Sequence, residues 1–140
     1  IYACHVKHFE EKMLGSDPLS NPEDAVNFAK VFLCGRRDET MLLIFVNSKN
    51  KVCDYEISTS GTIDSSLAYP RNVMSRAVEK KASGIVIVHN HPSGDPSPSR
   101  EDSEITKRMK EAARTMDVRF LDHIVVGMSG YFSFLEKGLL

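Results

Sequence analysis

The sequence predicts an α/β fold, a sandwich in which a mixed central β-sheet is flanked by helices. Three observations carry that expectation. Segments with helical spacing alternate with short apolar runs, in the order helix, two strands, helix, strand, helix, two strands. One of the runs, Ile85 to Val88, is uniformly apolar and rich in β-branched side chains, the pattern of a strand covered on both faces. The chain has 140 residues, the length of one ordinary domain, and can bury a core without disulfides or structural metal.

Residues 1–20 are expected to form an arm, because the Gly15, Ser16, Asp17, Pro18 cluster interrupts any short strand begun around Cys4 to Phe9. A single domain is then expected over 21–140. Asn21 and Pro22 open a helix as N-cap and first-turn proline, and Ala25, Phe28, Ala29 and Phe32 give it one apolar face before Gly35 stops it. Met41 to Asn47 is a continuous apolar run of strand length. A turn over Ser48 to Lys51 leads into a second strand, Val52 to Ile57, where Glu56 shares a face with Val52 and Asp54. Thr62 to Ser66 is turn-like, and from Pro70 a helix carries Val73, Met74, Ala77 and Val78 on one side until Gly84. The buried strand Ile85 to Val88 follows and runs into His89. Ser99 to Met116 reads as a helix with Ile105, Met109, Ala112 and Met116 as its core stripe. Strands over Phe120 to Val126 and Tyr131 to Leu135 close the chain around a Gly127 to Gly130 turn.

Composition excludes several classes. Hydrophobic residues make up 41% and charged residues 26%, which argues for a folded globular chain rather than a disordered one. Eighteen basic side chains balance nineteen acidic ones for a net charge of −1, so no global field draws the protein to nucleic acid or anionic lipid. No apolar run approaches the ~18 residues of a membrane span. Cys4, Cys34 and Cys53 lie far apart with no CxxC pair, so neither a thiolate zinc cage nor a redox dithiol is expected, and reduced thiols in a cytoplasmic protein fit best.

The chemistry concentrates in VHNHPSGDPSPSREDSE, residues 88–104. His89 and His91 are two apart at the end of a strand, so alternation points both imidazoles to one side, where they can share a cation, while Asn90 points the other way. Three prolines stiffen the loop over residues 92–98 and lower the entropy of returning its far end to the histidines. Asp102 is the candidate third ligand. Two imidazoles and one carboxylate leave a tetrahedral position to water, the composition of a catalytic rather than a structural zinc site. Zinc lowers the pKa of such a water from 15.7 to roughly 7, and a carboxylate that does not bind the metal must take its proton. Glu56 is the candidate base, with Glu39 behind it. Ser99 and Asp102 also suit a simpler role as N-cap and first-turn acid, so the paired histidines are what demand a metal. His123 could be a hydrogen-bonded core residue, a third nitrogen ligand or a substrate contact.

HxH, seven residues, then SxxD, here His89, His91, Ser99 and Asp102, resembles the JAMM motif of the JAB/MPN metallopeptidases. Gly61 to Asp64, His89 to Pro96 and Leu121 to His123 resemble its bacterial RadC-type branch, over roughly residues 22–140. The resemblance implies an MPN-like (cytidine-deaminase-like) sandwich, Zn2+ as the cofactor, His89, His91 and Asp102 as its ligands, and Ser99 as an oxyanion donor. Glu56 falls at the position of the family's upstream glutamate. The implied reaction is hydrolysis of an amide or isopeptide bond in a peptide or protein substrate. RadC-type proteins usually carry an N-terminal helix-hairpin-helix region, and nothing before residue 21 resembles it. The family name implies DNA repair, so a second reading is a RadC-like module that binds protein or DNA in a repair complex without hydrolysis. The HNH letters at 89–91 do not make a nuclease, whose three residues are scattered over a longer ββα element, and a zinc deaminase would need HxE and PCxxC.

Overall fold

The computed structural model of the chain describes residues 2–33, 36–58 and 69–140, with the backbone alone for 2–4. Among the described residues the elements are α1 (Tyr2–Met13), α2 (Pro22–Leu33), β1 (Met41–Val46), β2 (Val52–Ser58), α3 (Pro70–Glu79), β3 (Gly84–Asn90), α4 (Arg100–Thr115), β4 (Arg119–Val126) and β5 (Tyr131–Ser133). The expected helix stop at Gly35, the turn at Thr62 to Ser66 and the Gly61 to Asp64 run lie outside the described residues.

The five strands form one sheet in the order β2-β1-β3-β4-β5. Only β3 and β4 are parallel, and α4 supplies the crossover that a parallel pair requires. All seven residues of β3 are buried, as expected for a central strand covered on both faces. Alternation sorts the side chains into two cores. Leu42, Ile44 and Val46 of β1 and Val86 and Val88 of β3 pack with Ala25, Phe28 and Leu33 of α2. Leu43, Phe45, Ile85 and Ile87 face the other way, against Val73, Met74 and Ala77 of α3 and Met109 and Ala113 of α4. The result is the expected mixed sheet between helical layers.

The first residues correct the expectation of an arm. Residues 2–13 are helical, and Val6, Phe9 and Met13 recur at i, i+3 and i+7, an apolar stripe that joins the core under α2. The cluster after it is ordered by the sheet edge: Gly15 N donates to Val52 O and Val52 N to Ser16 O, both at 2.8 Å. A second correction concerns α4. Its buried face is Asp102, Thr106, Met109 and Ala113; of the expected stripe Met109 lies in the core and Ile105 and Ala112 pack at its edge, but Met116 is 48% exposed. Two polar side chains occupy positions that periodicity alone would give to apolar ones. β5 is also shorter than expected, ending at Ser133, with Phe134 folded into the interior beyond it.

Docking of α1 has a direct test. Met13 is fully buried whereas its neighbour Leu14 is 39% exposed. Met13→Ala should cost about 2–4 kcal/mol in urea unfolding, while Leu14→Ala should cost no more than about 0.5 kcal/mol.

Candidate functional site

β3 carries its histidines to one point because residues 85, 87, 89 and 91 share a face. Ile85 and Ile87 fill the core under α3 and α4, and the next two positions on that face are His89 and His91. The α4 helix meets them with its first turn. Ser99 is the N-cap: its hydroxyl accepts from Asp102 N at 3.1 Å while Ser99 N donates to Asp102 Oδ2 at 2.8 Å, a capping box. That box turns the Asp102 carboxylate toward the strand tip. Its Oδ1 lies 3.1 Å from His89 Nε2 and its Oδ2 lies 3.0 Å from His91 Nε2, while the two Nε2 atoms are 3.2 Å apart. The loop between is pinned across the sheet end. Met128 N donates to Gly94 O at 3.0 Å, and a Cβ on Gly127 would stand 2.3 Å from Gly94 O, so only glycine lets the two turns touch.

Donor and acceptor counting fixes the protons. His91 Nδ1 is 2.9 Å from Asp95 O, a carbonyl that can only accept, so Nδ1 carries the hydrogen and Nε2 presents its lone pair. Behind His89 the buried His123 forms a relay. Thr106 Oγ1 donates to Asp102 O at 2.7 Å and so accepts from His123 Nδ1 at 2.6 Å. His123 Nε2, left with a lone pair, accepts from His89 Nδ1 at 2.9 Å. His89 therefore also turns an Nε2 lone pair toward Asp102. Two nitrogen lone pairs and a carboxylate within 3.2 Å of one another repel unless something electropositive lies among them. Around a zinc ion with ligands at ~2.0–2.1 Å, tetrahedral neighbours would be ~3.3 Å apart, so the spacing of these atoms fits such an ion. A carbonyl or imidazole acceptor behind each ring is also the usual support of a ligating histidine.

His123 belongs to the supporting structure. Its Nε2 is engaged by His89, its ring is fully buried, and it stacks on Phe134 at 5.0 Å with an interplanar angle of 7°. Burial pushes its pKa down to about 3, and the neighbouring His89 adds to the effect. Burial works the other way on Asp102, but positive charge on its His89 side, together with the hydrogen bonds of Ser99, outweighs it and holds the carboxyl well below its ordinary value.

Of the two candidate bases, the structure brings one to the site. Glu39 precedes β1, and β1 is the strand beside β3, with Met41 opposite His89. Its Oε1 lies 3.6 Å from His91 Nε2, and Glu39, His89 and His91 bring ligand-type atoms within 4.8 Å of one another. Asn90 sets that placement from the opposite face of β3: Thr40 N donates to its Oδ1 at 2.7 Å and its Nδ2 donates to Asp38 O at 3.2 Å, so it clamps the residues on both sides of Glu39. Glu56 is elsewhere. It sits one strand further out, opposite Leu43, where Arg76 grips both carboxylate oxygens and Lys80 adds a second charge at 3.8 Å. Glu39 rather than Glu56 therefore stands beside the histidines, because β1 and not β2 is the strand next to β3.

An α/β sandwich whose parallel strand pair ends in two inward histidines, met by an acid from the crossover helix, defines a JAB/MPN-type domain. A RadC-like JAB domain matches residues 19–139. The chain is 44% identical over 122 residues, 87% of its length, to a UPF0758 protein of Symbiobacterium thermophilum. It is 38% identical over 135 residues to one of Trichlorobacter lovleyi and 39% identical over 134 residues to one of Pseudomonas syringae pv. tomato, each across 96% of its length. The chain belongs to the RadC-like JAB family. It spans 52%, 59% and 60% of these three relatives' own lengths, so about half of each. No described helix is long and apolar enough to cross a membrane.

The relay predicts an acid sensitivity. Unfolded, the His123 ring takes a proton below about pH 6.5; folded, not until about 3. Acid therefore favours the unfolded chain within that window. Stability in the presence of a chelator should fall by up to about 1.4 kcal/mol per pH unit below about 6.5 from this group. The contribution of Asp102, whose folded pKa is lowered, is present above its ordinary 3.8 and is lost only below it. Urea unfolding at pH 6.5 and pH 5 should show the slope, and His123→Phe should flatten it.

Proposed function

We propose that the chain is a metal-dependent amide hydrolase acting on a peptide or protein substrate, with His89, His91 and Asp102 holding a zinc ion. The single observation behind this reading is the convergence of two Nε2 lone pairs and a buried carboxylate within 3.2 Å, with a second, exposed carboxylate 3.6 Å away. Nitrogen and oxygen donors in that ratio suit zinc and leave a coordination position for solvent or substrate. When bound, zinc would supply Lewis acidity, lowering the pKa of a water to roughly 7 and polarising a carbonyl.

The chain's own residues account for the rest. Thr106 and His123 hold His89 with its Nε2 lone pair forward, and Asp95 O does the same for His91. Asp102, fixed by the capping box, stays an anion across the physiological range. Glu39 is the general base: its carboxylate takes the proton of the attacking water and returns it to the leaving amine, a task that typically contributes 10²–10⁴-fold. Ser99 has a further part beside the one implied by family resemblance. Its hydroxyl is committed to Asp102 N, so it acts on the site through Asp102 and is free to donate its own hydrogen outward. A role as oxyanion donor is compatible with that cap.

Variants separate the roles. Asp102→Ala should lose zinc in a dialysis and metal-count experiment. Glu39→Gln should keep zinc and lose peptide-bond cleavage by about a hundredfold or more. Glu56→Gln should keep both, at a small cost in stability from the half-buried Arg76 pair. Full cleavage by Glu39→Gln, or by protein stripped of metal, would overturn the reading.

A further inference from the structure

A cavity of about 320 Å³ opens beside the candidate site, on the face of the sheet that Asn90 occupies. His91, a member of the cluster, is also one of its lining residues, so the cavity begins where the cluster ends. Leu33 at the end of α2, Val126 at the end of β4, and Pro92 and Met128 give it an apolar wall. Lys30, Arg36 and Arg37 bring positive charge to it. Three cations at one small cavity call for anionic compensation, yet among the described residues none of them forms an ion pair with a carboxylate. Arg36 Nε is held by Phe32 O at 3.0 Å, which sets the guanidinium at the helix end.

We propose that this cavity is the subsite for the C-terminal carboxylate and last side chain of a peptide substrate, so that the amide bond offered to the cluster lies near a free C-terminus. The inference rests on the amide-hydrolase reading above and names its substrate class. A planar carboxylate matches the guanidinium fork, and the size of the space suits a terminal residue with an apolar side chain rather than a folded partner. The apolar wall argues against a nucleic-acid backbone, which requires an extended basic track rather than a short cavity with an apolar side.

The experiment uses N-acetyl-Ala-Ala-Leu and its C-terminal amide as probes of the full, zinc-equilibrated chain. Binding is read by calorimetry on Glu39→Gln, so that the peptide is not consumed, and turnover on the unaltered chain. The free acid should bind at least about tenfold more tightly than the amide, the size of one or two charge-assisted hydrogen bonds. Lys30→Gln combined with Arg37→Gln should bring the two probes to within about twofold by weakening the acid alone, with the unfolding midpoint unchanged. Equal binding of acid and amide, or no binding of the acid at millimolar concentration, overturns the inference without any variant. Cleavage of the amide as fast as the acid overturns it while the hydrolase reading stands. Preference for the acid without cleavage supports the subsite and counts against the hydrolase reading alone.

Discussion

The structure depends on the two-residue period of β3 continuing to the very end of the strand. Four buried apolar residues, Ile85 to Val88, anchor β3 between two helical layers, and they leave no freedom in which way its last side chains face. His89 and His91 must emerge toward α4, and Asn90 must emerge toward α2. A slip of one residue would put the imidazoles where Asn90 now holds Thr40 and Asp38, and both the cluster and the placement of Glu39 would be lost together. One strand tip thus gathers two imidazoles on one face and positions an acid from the other.

Burying this much polar chemistry costs stability unless every group is satisfied, at about 1–3 kcal/mol for each unpaired donor or acceptor. The interior therefore extends the site inward as a chain of paired groups, from Asp102 O through Thr106 and His123 to His89 Nδ1, and only the outward Nε2 of His89 is left facing the Asp102 carboxylate. Thr106 and Asp102 stand in the core stripe of α4 for this reason, next to Met109 and Ala113. The loop beside these groups is itself pinned, by Gly94 against Met128 and by Asp95 against His91. A network of this kind has one satisfactory arrangement of protons, and that arrangement leaves both Nε2 lone pairs facing the same space.

How much of this could be read from the chain divides along the range of the interaction. The buried strand, the HxH pair and the Ser99 to Asp102 cap are local features, set by residues within a few positions of one another, and they emerged from spacing alone. The acid that stands beside the histidines did not. Glu39 and Glu56 are both followed or surrounded by strand residues, and only the sheet order, with β1 beside β3 and β2 outside it, separates them. Arg76, twenty positions beyond Glu56, had already claimed that carboxylate, a pairing no periodicity reports. The α1 stripe of Val6, Phe9 and Met13 was visible, but charged neighbours and the following Gly15 to Pro18 cluster obscured a helix whose stability comes from docking rather than propensity. His123 carried the least signal of all: a lone histidine in an apolar strand is ordinary, and its partners, Thr106 and His89, come from 17 and 34 positions away.

The two carboxylates at the strand tip are suited to different work by how firmly they are held. A ligand must not wander, and Asp102 is buried, accepts from the Ser99 amide and sits within 3.1 Å of both imidazoles. A proton carrier has to move between the attacking and departing atoms, and it must release what it accepts. Glu39 has a side chain 64% exposed, and its one polar contact among the described residues is the 3.6 Å approach to His91. Its backbone is nonetheless fixed on both sides by Asn90, so the carboxylate swings from a stationary base. Glu56, gripped through both oxygens by a guanidinium, could do neither: it is too distant to ligate and too tightly paired to carry a proton. Division of labour between acids follows here from the partners each one already has, before any substrate is considered.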